Sequence, residues 1–262
     1  MVEQSLLIQD LFSVAGKVVL VTGGSRGIGL MIAHGFVANG AKVYISSRKA
    51  DVCHAVAAEL SKNGRCLAIP ADLATSEGRE TLVATLQAQE ASLDVLVNNA
   101  GAAWGAPFDT YPESGYDKVM EINVKSIFML TQALLPLLKA NASLTNPARV
   151  INIGSIDGIQ VPSTENYAYS ASKAAVHHLT KVLGVQLGRR GITVNAIAPG
   201  PFESKMTAWM LENFQEDIEA QCPLGRIGRP ADMAGIALYL ASAAAAYVNG
   251  VVIPVDGGLH LA

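Results

Sequence analysis

Lys17-Val-Val-Leu-Val-Thr22 runs without a break into Gly23-Gly24-Ser25-Arg26-Gly27-Ile28-Gly29, and an apolar-periodic stretch, 28–39, follows at once. A β-branched run, a glycine-rich turn and a helix, in that order, decide the fold. Glycines let the chain turn sharply and approach a pyrophosphate, while the helix start offers unpaired N–H groups to phosphate oxygens. Working outward, the same alternation repeats along the chain. Besides 17–22, strands are expected at 42–47, 65–71, 93–98, 149–155, 192–198 and 251–255. Helical periodicity fills the gaps at 50–63, 76–90, 113–140, 168–189 and 231–242. Continuous apolar strands separated by helices predict a parallel sheet covered on both faces. The fold class is therefore α/β: one doubly wound, seven-stranded Rossmann domain spanning 1–262.

Composition agrees. Half of the 262 residues are apolar and 16% are charged, enough apolar material for a sheet buried between two helical layers. The net charge is −3 with no Lys/Arg run, which argues against nucleic acid or an anionic membrane as partner. Cys53, Cys66 and Cys222 are odd in number and match no zinc or redox spacing, so reduced thiols of the core or surface are expected. The first 13 residues carry Glu3 and Asp10 where a signal peptide would carry bases. Positions 233–255 lack charge over a membrane-helix length, but Asn249-Gly250 and Pro254 divide them into a helix and a strand. A soluble cytoplasmic protein is expected.

One stretch breaks the alternation. Between Pro199-Gly200 and Arg229, the residues Met206, Trp209, Met210, Leu211 and Phe214 lie among acids. The stretch follows the C-terminal end of a strand, where open α/β sheets bind ligands, so 201–229 reads as a substrate lid.

The loop after the second strand bears on the nucleotide. An acid about 20 positions beyond the glycines would hydrogen-bond the ribose 2′-hydroxyl of NAD. Here Ser47 stands in that place, followed by Arg48. Arg48 and Arg26 can neutralise a 2′-phosphate through charge-assisted hydrogen bonds, so NADP(H) is expected over NAD(H).

Tyr169 and Lys173 stand four residues apart on an expected helix and so share a face. A phenol with a pKa near ~10 is almost wholly protonated at neutral pH. A neighbouring ammonium would lower that value and make the group a better acid and base. By spacing alone the pair is common.

The order of motifs gives it meaning. Thr22-Gly-x-x-x-Gly-x-Gly29, Asn98–Gly101, Asn123, Ser155, Tyr169 with Lys173, Pro199-Gly200 and Asp256-Gly257-Gly258 follow one another at suitable separations. Together they resemble the short-chain dehydrogenase/reductase family over nearly the whole chain. The resemblance implies an NADP(H)-dependent oxidoreductase acting on CH–OH or C=O groups. It implies that Ser155 orients the carbonyl, that Tyr169 gives it a proton, and that Lys173 holds the nicotinamide ribose and tunes Tyr169. Asn123 would anchor a water leading from Lys173 to solvent. The cofactor set would be Gly23, Ser25, Arg26, Gly27, Ile28, Gly29, Ser47 and Arg48, then Asp72 and Leu73 at the adenine. Asn98 beside the nicotinamide ribose, Ala100, Gly101, Pro199, Gly200, Phe202 and Ser204 would complete it.

The gap from Ser155 to Tyr169 is one residue longer than in many members, so 156–168 should bulge. Tyr167 has Ala171, not lysine, four residues on and is assigned to the pocket wall with Trp104, Met206, Trp209 and Met210. His177 and His178 have no acidic or cysteine companions and read as helix-surface residues, and no metal is expected. Ser172 lacks the glycine-flanked elbow of a hydrolase nucleophile.

Within the family, Asn146-Pro-Ala-Arg-Val-Ile-Asn-Ile-Gly-Ser155, Trp104-Gly105-Ala106 and Lys205-Met206-Thr207 are most similar to bacterial 3-oxoacyl reductases. That implies reduction of a 3-oxoacyl thioester, with acyl carrier protein as a candidate partner. Arg189-Arg190 could hold an acidic carrier, but 139–147 is mostly neutral, so a CoA-linked or free ketone stays open. Two further readings stand: a ketoreductase for another ketone, polyol or steroid-like substrate, and a non-catalytic NADP(H)-binding sensor. The resemblance also implies a homotetramer built on the 113–140 helix and the Tyr169 helix.

Overall fold

The computed structural model describes residues 5–262. Its strands are β1 (Val18–Thr22), β2 (Lys42–Ser46), β3 (Arg65–Ala68), β4 (Val95–Asn98), β5 (Ala148–Ile153), β6 (Ile192–Pro199) and β7 (Val252–Val255). They form one sheet in the order β3-β2-β1-β4-β5-β6-β7, with every ladder parallel. Side chains alternate between its faces. Val19, Val21, Val43 and Ile45 pack on one side, and Leu20, Tyr44 and Leu96 on the other. Both faces are covered, so no polar alternation was needed, and the strands read as apolar runs. Pro254 is tolerated because β7 is an edge strand.

The first face is covered by α2 (Gly27–Ala38), α3 (Ala50–Leu60) and α10 (Pro230–Ala241), which contribute Ile32, Phe36, Cys53, Met233 and Leu240. On the second lie α4 (Ser76–Gln89), α6 (Ser126–Ala133), α7 (Leu135–Ala140) and α8 (Tyr167–Gly188), with Leu82, Leu86, Leu130, Leu138 and Leu183. A short α1 (Ile8–Leu11) precedes β1; it holds Asp10, whereas Glu3 lies outside the described residues. Among the described residues, no helix is long and apolar enough to cross a membrane. All three cysteines are free and buried.

The single helix expected at 113–140 is three. After α5 (Glu113–Met120) the backbone passes through a π-helical turn, Glu121–Lys125, before α6 begins. A second break at Leu134 precedes Pro136, whose ring and missing N–H cannot continue α6. The π-turn places Asn123 in the interior. Such turns cluster at functional sites.

The excursion after β6 leaves and returns at one point. Phe202 bridges to Gly228, whose N–H donates to the Pro201 carbonyl at 2.9 Å. Phe202 is fully buried, and a side chain at 228 would collide with its ring. Between these anchors lies α9 (Ala208–Gln221), kinked at Phe214.

Candidate active site

Strand order reverses between β1 and β4, so their C-terminal ends diverge into a crevice, the place where doubly wound sheets bind nucleotides. Two side chains hold that crevice in shape. The Thr22 hydroxyl donates to the Val97 carbonyl and accepts the N–H groups of Asn99 and Ala100 at 2.9 and 3.0 Å. The Asn99 amide donates to the carbonyls of Thr22 and Gly23. Gly23 adopts φ +65°, open to glycine without strain. At Gly29 a Cβ would lie 2.4 Å from both the Asn99 amide and the Gly23 carbonyl oxygen, so only glycine lets α2 start this close to the turn.

A cleft of about 2410 Å³ opens from this point. Its nucleotide end is lined by Gly23, Ser25, Arg26, Gly27, Ile28, Ser47, Arg48, Asp72, Leu73, Ala100 and Gly101. Pro199, Gly200, Phe202 and Ser204 line the adjoining wall. The Ser46 and Ser47 hydroxyls are buried without a hydrogen-bond partner, and both residues face the cleft beside Arg48. An orphaned hydroxyl next to guanidinium groups fits a phosphorylated ribose. Among the described residues, no group of three or more His, Cys, Asp or Glu is placed to hold a metal.

At the far end, Ser155, Tyr169 and Lys173 line the cleft together. Ser155 follows β5 and caps a 3-10 turn, Ile156–Gly158, its hydroxyl accepting the Asp157 N–H at 3.1 Å. The longer gap to Tyr169 is taken up by this turn and by the irregular segment 159–166. Tyr169 and Lys173 sit one helical turn apart on α8, with Nζ 5.4 Å from the ring centroid. Lys173 is buried, and its Nζ donates to the Ile153 carbonyl at 2.8 Å.

Burial governs both groups. It pushes the Tyr169 phenol up to about 12, opposed by a hydrogen bond with Ser155 and reinforced by the charge of Asp157. It pushes Lys173 down to about 8, against the pull of Asp157. The ammonium was expected to lower the phenol; instead desolvation raises it, and Lys173 is itself desolvated and turned towards a carbonyl. A phenol held protonated is a proton donor, not a base, at neutral pH.

Four expected site residues lie elsewhere. Asn98 does not line the cleft: its amide donates to Asn152 at 2.9 Å and to Thr131 at 3.2 Å, inside the sheet's covered face. Gly29 lies behind the turn, shaping it rather than facing the cleft. Asn123 is buried under it, accepting the Ala102 N–H and donating to the Ala102 carbonyl and Ser172, each at 2.9 Å. Both amide hydrogens and one lone pair of Oδ1 are thereby used. Tyr167 is off the cleft wall, edge-on to Phe108 and Tyr111. Trp104, Met206, Trp209 and Met210 do line it, together with Phe214 and Ile218 from α9.

His177 corrects a further expectation. It is buried, because Gly154 and Gly158 leave room against α8 that a Cβ would fill, whereas His178 is exposed. Burial, with Lys173 and Lys181 nearby, holds the His177 imidazole down to about 4 and therefore neutral. Asp157, Gln160 and Asn166, which no motif flagged, also line the cleft.

Comparison with known proteins extends the site to a family. A family model described as enoyl-(acyl carrier protein) reductase matches residues 23–260. The chain is 52% identical over 252 residues to the rhamnolipids biosynthesis 3-oxoacyl-[acyl-carrier-protein] reductase of Pseudomonas aeruginosa, covering 95% of this chain and 98% of that one. It is 33% identical over 258 residues to 5-keto-D-gluconate 5-reductase of Escherichia coli K12, covering 97% of this chain and 100% of the relative. The solved Pseudomonas aeruginosa RhlG/NADP active-site complex superposes with a TM-score of 0.93 at 51% identity, covering 95% and 98% of the two chains. With its Rossmann sheet, glycine turn and Ser155, Tyr169 and Lys173 on one cleft, the chain belongs to the short-chain dehydrogenase/reductase family of oxidoreductases.

Proposed function

We propose that this protein reduces the ketone of a 3-oxoacyl thioester to the 3-hydroxyacyl product at the expense of NADPH. The observation that carries the substrate is the wall presented by the 201–229 excursion. Met206, Trp209, Met210, Phe214 and Ile218 line the same cleft as Tyr169, an apolar surface suited to an acyl chain.

Arg26 and Arg48, with the Ser47 hydroxyl, would hold the 2′-phosphate, and the turn 23–29 the pyrophosphate. Asp72 and Leu73 would border the adenine, and Ser204 the carboxamide. When bound, the nicotinamide supplies hydride to the carbonyl carbon. Ser155 Oγ holds the carbonyl oxygen, and Tyr169, kept protonated by burial, gives that oxygen its proton. Lys173 would hold the ribose and restore the Tyr169 proton, with Asn123 anchoring a water that leads from Lys173 to solvent. The 201–229 excursion, anchored at its base by the Phe202–Gly228 bridge, would cover the chain. The protein would act as a cytoplasmic homotetramer, with acyl carrier protein or CoA as the donor of substrate.

The relative acting on 5-keto-D-gluconate supports a second reading, a polyol or keto-sugar reductase. Acyl-chain length separates the two. Each methylene buried against α9 should raise kcat/KM about fourfold, from about 0.8 kcal/mol of transfer free energy. A flat response from 3-oxobutyryl to 3-oxodecanoyl thioesters, with turnover of keto-sugars, would favour the second.

The pH response follows from the two shifted groups. Lys173 is charged below about 8 and neutral above it, while Tyr169 keeps its proton to about 12. The kcat/KM for reduction should therefore fall as pH rises through about 8, and the falling limb belongs to Lys173. A profile flat to about pH 10 would remove the lysine charge from the mechanism.

A further inference from the structure

One carboxylate at the reacting end of the cleft acts on Tyr169 and Lys173 through its charge but has no bonding part in the reduction just described. Asp157 lies two residues beyond Ser155, and its own N–H donates to the Ser155 hydroxyl at 3.1 Å. The carboxylate is held in place. Its Oδ2 accepts the Asn166 side-chain amide at 2.9 Å, and Asn166 in turn accepts the Ser170 hydroxyl at 2.6 Å. Among the described residues, Oδ1 accepts no protein donor and is not sealed from solvent, while Asp157 lines the cleft with Gln160 and Asn166. The cleft thus has an α9 side that is mainly apolar, interrupted by Asp217 and Gln221, and a polar wall carrying Asp157 on the Ser155 side.

We propose that Asp157 is a specificity-determining residue that excludes substrates carrying a carboxylate next to the ketone and accepts neutral ones that present a hydrogen-bond donor there. The inference rests on the carbonyl-reductase reading and deepens it: esterified 3-oxoacyl chains enter, and free 3-oxo acids do not. In a free 3-oxo acid the carboxylate stands two bonds from the reacting carbon. With the ketone on Ser155 and Tyr169 and the alkyl chain against α9, that carboxylate is directed to the polar wall. Two like charges in a partly desolvated cleft repel strongly. Esterification removes the charge, and the amide of a cysteamine-type arm supplies an N–H for the free Oδ1. Lys173, held on the Ile153 carbonyl, attracts Asp157 and lessens the repulsion, while Lys205 is exposed in the lid segment. Asp117, Glu121 and Asp217 add further negative groups to the cleft lining.

The test compares three probes of one chain length, read by NADPH oxidation: free 3-oxooctanoate, its methyl ester, and its N-acetylcysteamine thioester. The wild type should favour the ester over the acid by about tenfold or more, and the thioester over the ester. Asp157→Asn keeps an acceptor for Asn166 and should raise kcat/KM for the acid relative to the ester by about tenfold. Asp157→Ser should do the same, which guards against misfolding of either variant. If neither folds, the wild-type preference decides. Equal use of acid and ester by the wild type, or an acid-to-ester ratio unmoved in a folded variant, would overturn the inference. Failure to oxidise NADPH with all three probes would overturn the 3-oxoacyl reading itself, and this inference with it.

Discussion

Tyr169→Phe should cost about a hundred- to ten-thousandfold in kcat for ketone reduction, while NADPH binds with unchanged affinity. The magnitude follows from what the substitution leaves intact. The ring keeps its place one turn from Lys173, whose ammonium lies 5.4 Å from the ring centroid and is anchored on the Ile153 carbonyl. Ser155 remains capped on the Asp157 N–H, so the carbonyl can still be held. Only the proton donor is lost. The buried phenol, raised to about 12, is the cleft's reservoir of a transferable proton at neutral pH. The His177 imidazole, neutral and turned to Gly158, does not replace it. Steady-state rates together with NADPH fluorescence titration separate catalysis from binding. Near-normal turnover in the variant would move the proton donor to another group.

The second large effect concerns the cofactor. Arg48→Ala should raise the KM for NADPH about ten- to a hundredfold and leave that for NADH almost unchanged. A hydrogen bond to a charged group contributes about 1.5–3 kcal/mol, and a doubly charged 2′-phosphate takes the full effect. The position next to it carries Ser47 in place of an acid, and its hydroxyl is buried without a partner. The site therefore neither repels the phosphate nor offers the 2′-hydroxyl of NADH a carboxylate. Equal losses for the two cofactors would show that Arg48 acts on the shared phosphates or on the fold.

Much of this was legible because burial on both faces leaves a plain trace in sequence. The strands differ from expectation only at their ends, and the glycine turn announced the crevice beside it. The exceptions have local causes. Pro136 signalled a break in the 113–140 helix, but the run of leucines around it masked the signal. The π-turn at Glu121–Lys125 has no comparable mark. Asn98 and Asn99 are chemically alike, and strand alternation alone sends the first into the core and leaves the second to bind the Thr22 turn. His177 is buried by glycines on another segment, which helix periodicity cannot report. Asp157 looks like an ordinary loop acid until the fold brings it to Lys173 and Tyr169. The pairing of Tyr169 with Lys173 was readable, but the direction in which burial moves the phenol was not.

The most direct test of the proposed activity is a single assay. Purified protein with NADPH and a 3-oxooctanoyl thioester should show loss of NADPH absorbance matched mole for mole by 3-hydroxyoctanoyl product, in a reaction abolished by Tyr169→Phe. No oxidation of NADPH by a folded protein that binds it, across carrier-protein, CoA and cysteamine thioesters, would contradict the account.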